Sequence, residues 1–155
     1  MDCESLLLWI ANQSSELFHA TIRVSPPSTN EPTATAIWSA PGVERRKFNV
    51  DAAFRGGQTV LGVVLRNNFG TVEGIWTKRA LADSPLEGEL MAFKLALEIA
   101  GGSNMDNFDL EGDNQQVIRA AQSLIPASDW VITPLFLHVF KLLASFHSVN
   151  CFWIP

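Results

Sequence analysis

Apolar residues along the chain recur with two periods, every second position in some stretches and every third or fourth in others. Residues 47–54 alternate, with Phe48 and Val50 on one face and Asn49, Asp51 and Ala53 on the other, the period of a strand. Residues 59–66 and 71–78 are β-branched apolar runs of strand length. Between them Asn67-Asn68-Phe69-Gly70 supplies residues that tolerate positive φ, which predicts a hairpin. Ser84-Pro85-Leu86-Glu87 then combines an N-cap serine, a proline at the first helical position and a glutamate at the third. Gly101-Gly102 marks the far end of that helix. Residues 107–113 predict a strand carrying Phe108 and Leu110, and residues 114–125 a helix with Val117, Ile118, Ala121 and Leu124 at helical spacing. A third helix over 134–146 and a last strand over 149–154 complete the order β-β-β-α-β-α-α-β. That order predicts an α/β fold, a mixed five-stranded sheet with an antiparallel first three strands and helices packed on it.

The pattern thins before residue 45. Residues 24–41 hold four of the eight prolines, six Ser or Thr and a single charge, Glu31, the composition of a linker. The chain therefore divides into an N-terminal extension (1–23) with one short predicted helix over 6–18, a Pro/Ser/Thr-rich linker (24–45) and a folded domain (46–155). With 155 residues and 47% hydrophobic content there is material for one ordinary core, which excludes a multidomain machine and a disordered chain. A net charge of −5 excludes bulk electrostatic coating of nucleic acid and leaves only local contacts. Cys3 and Cys151 lie near opposite ends, in no disulfide framework or zinc-ligand spacing. No secretory signal or membrane span is apparent, since the apolar run 6–11 follows Asp2 and Glu4, and His138 and Lys141 interrupt the run 131–143. The chain reads as soluble and intracellular, with no membrane contact and no evident protein partner.

Three acidic residues sit oddly for solubilising charges. Asp51 lies on a strand and Asp113 at the end of one. At about 100° per residue, Glu87, Lys94 and Glu98 share a narrow helical stripe, whereas Glu89 falls on nearly the opposite side with Leu86, Phe93, Ala96 and Ala100. A carboxylate turned toward a core is costly without a cation or hydrogen-bond donor. Carboxylates gathered near strand ends without a basic partner are the usual way to hold a hard cation such as Mg²⁺. Spacing alone leaves open the alternative that Asp51 and Asp113 are solvated strand ends and that Glu89 reaches water.

Asn49-Val50-Asp51-Ala52-Ala53, the run Leu61-Gly62-Val63-Val64-Leu65-Arg66, Glu89-Leu90-Met91-Ala92 and Glu111-Gly112-Asp113-Asn114 occur in that order. Together they resemble the ribonuclease H family, most closely the plant reverse-transcriptase-like type 1 ribonuclease H domains related to retroelements. The lead-in Trp38, Pro41 and Lys47-Phe48-Asn49-Val50-Asp51 is similar too, so the likeness covers residues 38–155. Asp51 matches the first-strand aspartate, which in that family bridges two metal ions, Glu89 the glutamate of the first helix, and Asp113 the aspartate ending the fourth strand. The resemblance implies a nucleic-acid-binding hydrolase that cleaves the RNA strand of RNA–DNA hybrids with Mg²⁺, or alternatively Mn²⁺, as cofactor. In that scheme one ion activates a water for in-line attack on phosphorus and the other stabilises the leaving 3′ oxygen.

The family pattern is incomplete in this sequence. A last helix with a fourth metal-site carboxylate follows the final strand in the family, and the sequence stops at Pro155, as if truncated before it. Asp129 is the only acidic residue after Asp113 and matches nothing, and His19, His138 and His147 do not match the family's helper histidine. From Lys47 onward there are 8 Lys and Arg against 11 Asp and Glu, with no basic cluster. Candidate substrate contacts are Arg55, Lys78, Arg79 and Asn114, each equally a surface residue. Trp76, Trp130 and Trp153 are expected in core or rim packing rather than stacked on bases. The second reading is accordingly a degenerate ribonuclease H-like domain without activity, at most a weak nucleic-acid-binding module.

Overall fold

A computed structural model describes residues 38–155. The extension, its predicted helix and most of the linker lie outside the described residues. The elements are β1 (Arg46–Arg55), β2 (Gln58–Arg66), β3 (Val72–Leu81), α1 (Pro85–Gly102), β4 (Asn107–Gly112), α2 (Gln115–Ser123), α3 (Thr133–Leu143) and β5 (Ser148–Trp153). They form one five-stranded sheet in the order β3-β2-β1-β4-β5. β1, β2 and β3 pair antiparallel, while β4 joins β1 and β5 joins β4 in parallel. The predicted α/β fold with its mixed sheet is therefore observed.

Local chemistry sets the boundaries. Gly56 and Gly57, with φ of +57° and +79°, close the β1–β2 hairpin, a backbone that side chains resist. In the next hairpin the Asn67 side-chain oxygen accepts from the Phe69 and Thr71 amides. Ser84 caps α1 by accepting from the Glu87 amide, and Glu87 returns a bond from the Asp83 amide, one residue ahead of the cap. The helix predicted to reach residue 125 ends at Ser123, because Leu124 turns left-handed at φ 55°.

Helices α1, α2 and α3 bury their apolar faces against one side of the sheet, in a cluster with Phe48, Leu61, Val63, Phe108 and Leu110. Phe108 stands edge-on to both Phe48 and Phe146, with ring centroids 5.4 Å and 5.0 Å away. Leu97 is fully buried in this cluster. Leu97→Ala is expected to cost about 2–5 kcal/mol in a denaturant titration, while leaving the sites below intact. No helix among the described residues is long and apolar enough to cross a membrane.

The other side of the sheet is the polar face foreseen in 47–54, but it is buried. It carries Lys47, Asn49, Asp51, Arg66, Asp109 and Glu111. α1 lies close over the sheet where it begins: a Cβ on Gly88 would stand 2.8 Å from Thr59 Oγ1 and 3.6 Å from the Ala52 Cβ. Only glycine permits this approach, which brings the next residue, Glu89, down beside β1.

Candidate metal centre

Asp51 in the middle of β1, Glu89 in the first turns of α1 and Asp113 immediately after β4 converge on one point. One carboxylate oxygen from each lies within 4.8 Å of the other two. Asp51 is buried, Glu89 half-buried and Asp113 exposed, so the cluster is rooted in the fold and open to solvent on one side. Among the described residues none of the three is paired with a Lys or Arg. The Ala52 amide donates to Asp51 Oδ1 at 2.9 Å.

The electrostatics follow from that crowding. Two like charges 4.8 Å apart repel by roughly 3 kcal/mol at an effective dielectric of about 20. Burial, then the charges of Asp51 and Asp113, push the Glu89 carboxyl up to about 8. Burial first and Asp113 second raise Asp51, and burial raises Asp113. All three groups thus hold protons more tightly than free carboxylates do, the condition a bound cation relieves. Three converging hard oxygen donors, with no basic side chain paired to them among the described residues, fit a hard divalent ion, whose remaining positions water can fill.

The framework around Asp113 was not foreseen in the sequence. The indole of Trp153 donates to the Asp113 carbonyl at 2.8 Å, and the Ile154 amide donates to the Gly112 carbonyl at 3.1 Å. Trp153, expected in core or rim packing, therefore anchors the backbone of a candidate site residue. Only the register of β5 on β4, which sets Trp153 against Gly112, reveals this. Gly112 also admits a close approach, since a Cβ there would lie 3.2 Å from Val50 Cγ2. Asn114 accepts from the Gln116 and Val117 amides and so caps α2, which commits its carbonyl oxygen to the helix.

The other candidate contacts are dispersed. Arg55 is exposed at the β1–β2 hairpin. Lys78 and Arg79 are consecutive on β3 and so point to opposite faces: Lys78 borders a groove with Met91, Lys94 and Leu135 on the helix side, and Arg79 faces away from it. They do not form one surface. His138 and His147 are exposed. Trp76 packs against the core, whereas Trp130, expected in packing, is 84% exposed at the loop before α3.

Two ion pairs on the polar face of the sheet were also not anticipated: Arg45 with Asp109 at 2.8 Å, and Lys47 with Glu111 at 2.5 Å. Asp109 and Glu111 alternate with Phe108 and Leu110 along β4, but their basic partners come from β1 and the residue before it, which periodicity does not pair.

A model of the reverse transcriptase-like family matches residues 49–155. No curated protein sequence matches the chain. Among solved structures, the ribonuclease H1 of the halophilic archaeon Halobacterium salinarum NRC-1 superposes with a TM-score of 0.66 at 23% identity, covering 72% of this chain and 86% of that one. The N-terminal ribonuclease H domain of a Mycobacterium tuberculosis protein, solved as a fusion with maltose-binding protein, gives 0.64 at 16% identity over 72% and 87%. LC11 ribonuclease H1, in complex with an RNA/DNA hybrid, gives 0.65 at 15% identity over 72% and 86%. With the family match over most of the chain and the same sheet and helix arrangement, this chain belongs to the reverse transcriptase-like family and has the ribonuclease H fold.

Proposed function

We propose that residues 46–155 form a divalent-metal-dependent ribonuclease that hydrolyses the RNA strand of RNA–DNA hybrids, with Asp51, Glu89 and Asp113 as the metal ligands. The observation that carries this reading is the convergence of the three carboxylates within 4.8 Å, with no basic partner among the described residues. The family match supports it, as does the hybrid bound by a protein of the same fold.

Mg²⁺ or Mn²⁺ bound here supplies an activated water and charge stabilisation at the leaving oxygen. The chain's own residues set the geometry. Asp51, the most buried of the three, holds the ion from the sheet, Glu89 holds it from the helix, and Asp113 leaves the solvent side open for a phosphodiester. Water oxygen bonds to phosphorus as the bond from phosphorus to the 3′ oxygen breaks, leaving a 5′-phosphate and a 3′-hydroxyl. Arg55 and the free amide group of Asn114 are the nearest candidates in sequence for backbone phosphates. Recognition rests on hybrid shape and 2′-hydroxyls rather than base edges.

One observation favours the second reading, a domain that binds hybrid weakly and does not cleave it: among the described residues only three acidic groups gather, and the basic residues are dispersed. Metal binding is tested by titrating Mg²⁺ and Mn²⁺ against tryptophan fluorescence, with Trp153 bonded to the Asp113 carbonyl as the reporter. Saturable change in the wild type and none in Asp51→Asn is the expected result. Identical curves for the two proteins rule out a site at these carboxylates.

A further inference from the structure

Asp109 and Glu111 occupy alternate positions on β4 and share one face of the sheet, and Asp113 follows two residues on, just past the end of the strand. Their neighbours form three successive rungs. Asp109 is neutralised by Arg45, and also accepts from Asn150 at 2.9 Å. Glu111 is neutralised by Lys47, and also accepts from Asn49 Nδ2 at 2.8 Å. Asp113 has a carboxylate oxygen within 4.8 Å of one from Asp51, and among the described residues no Lys or Arg pairs with it.

The middle rung is closed off from solvent. Lys47, Asn49 and Glu111 are 3%, 8% and 4% exposed. Lys47 also donates to the Ser39 carbonyl at 2.6 Å, and its ammonium lies 5.3 Å from the Trp38 ring and 5.6 Å from that of Phe152. Asn49 and Glu111 are register partners across β1 and β4, each two residues before a carboxylate of the cluster, Asp51 on β1 and Asp113 just past β4. The β1–β4 ladder ends at Val50 and Gly112, so this is the last side-chain tie between the strands before Asp51 and Asp113.

As a stability device the rung is poor. A buried ion pair often gains nothing over an apolar pair of similar volume, and Asn49 Oδ1 is buried without a partner among the described residues. We propose that the Lys47–Glu111–Asn49 rung is a positioning element that sets the spacing of β1 and β4 and thereby the separation of the Asp51 and Asp113 carboxylates. The proposal deepens the metal-site reading above and rests on it.

The test is Mn²⁺ affinity measured directly from the free-ion paramagnetic signal, with kcat and KM on hybrid measured in parallel. A triple variant, Lys47→Met with Glu111→Leu and Asn49→Val, replaces the rung by apolar packing. It is expected to fold with wild-type stability or better, bind Mn²⁺ about tenfold more weakly, and lose kcat with KM unchanged. Asn49→Ala, a smaller change that keeps the ion pair, is expected to weaken Mn²⁺ several-fold and serves if the triple variant does not fold. Leu97→Ala, destabilised in the core, is expected to bind Mn²⁺ as the wild type does at temperatures where it is folded. Wild-type Mn²⁺ affinity in both rung variants overturns the positioning role, and so does an equal loss of affinity in Leu97→Ala. Absence of Mn²⁺ binding by the wild type itself removes the metal site and the proposal together, which distinguishes the two failures.

Discussion

Asp51→Asn is expected to lower hybrid cleavage by about 10³-fold or more while leaving the fold intact. Asp51 is the buried member of the cluster, and an amide in its place offers a neutral oxygen where the cation needs a charged one. Charge stabilisation of several kcal/mol by a bound ion corresponds to roughly that factor in rate. The same substitution relieves repulsion among carboxylates whose oxygens lie within 4.8 Å. In EDTA the variant is therefore expected to be about 1–2 kcal/mol more stable than the wild type. In saturating Mg²⁺ the wild type gains binding energy that the variant lacks, and the order narrows or reverses. Denaturant midpoints with and without metal check this beside the rates. A variant destabilised in EDTA would mean that Asp51 serves the fold rather than an ion.

The second large effect is on pH dependence. In the metal-free protein the Glu89 carboxyl lies at about 8, against an ordinary value of 4.5. Between those values the folded chain holds a proton that the unfolded chain has released. Stability consequently falls as pH rises through the window from about 5 to 8, and is fully recovered below it. At about 1.4 kcal/mol per unit the ceiling is near 5 kcal/mol, and residual solvation of a half-buried group brings the expected loss to about 2–4 kcal/mol. Glu89→Gln flattens the curve, since the amide does not titrate. A cation must displace the same proton, so its affinity is expected to rise by up to about tenfold per pH unit below 8, and saturating metal to remove the slope. Thermal midpoints at several pH values in EDTA and in Mg²⁺, for wild type and Glu89→Gln, give the comparison. A pH-independent wild type in EDTA would place Glu89 in water.

Much of this was legible in the residues because the signals were local. The capping box at Ser84–Glu87, the Asn67–Gly70 turn and the alternation of 47–54 each lie within a few residues, and the elements they predict are present. The helical wheel set Glu89 apart from the polar stripe of α1, and the structure puts it against Asp51 and Asp113. What sequence did not reveal depends on register between distant strands. The Lys47–Glu111 pair spans 64 residues and the Trp153 bond to Asp113 spans 40. Lys78 and Arg79 show the converse: neighbours in sequence suggest one contact surface, and strand alternation separates them. Trp130 has no periodic context in its loop, and its exposure could not be read from residue type.

The most direct test of the account is cleavage of a hybrid whose RNA strand carries a 5′ label, by wild-type protein in Mg²⁺, beside the same RNA in duplex with RNA. The account predicts shortened RNA ending in 3′-hydroxyls from the hybrid alone, abolished by EDTA and by Asp51→Asn. An intact RNA strand after incubation with folded wild-type protein, in saturating Mg²⁺ and in Mn²⁺, would contradict it and leave a ribonuclease H fold without the reaction.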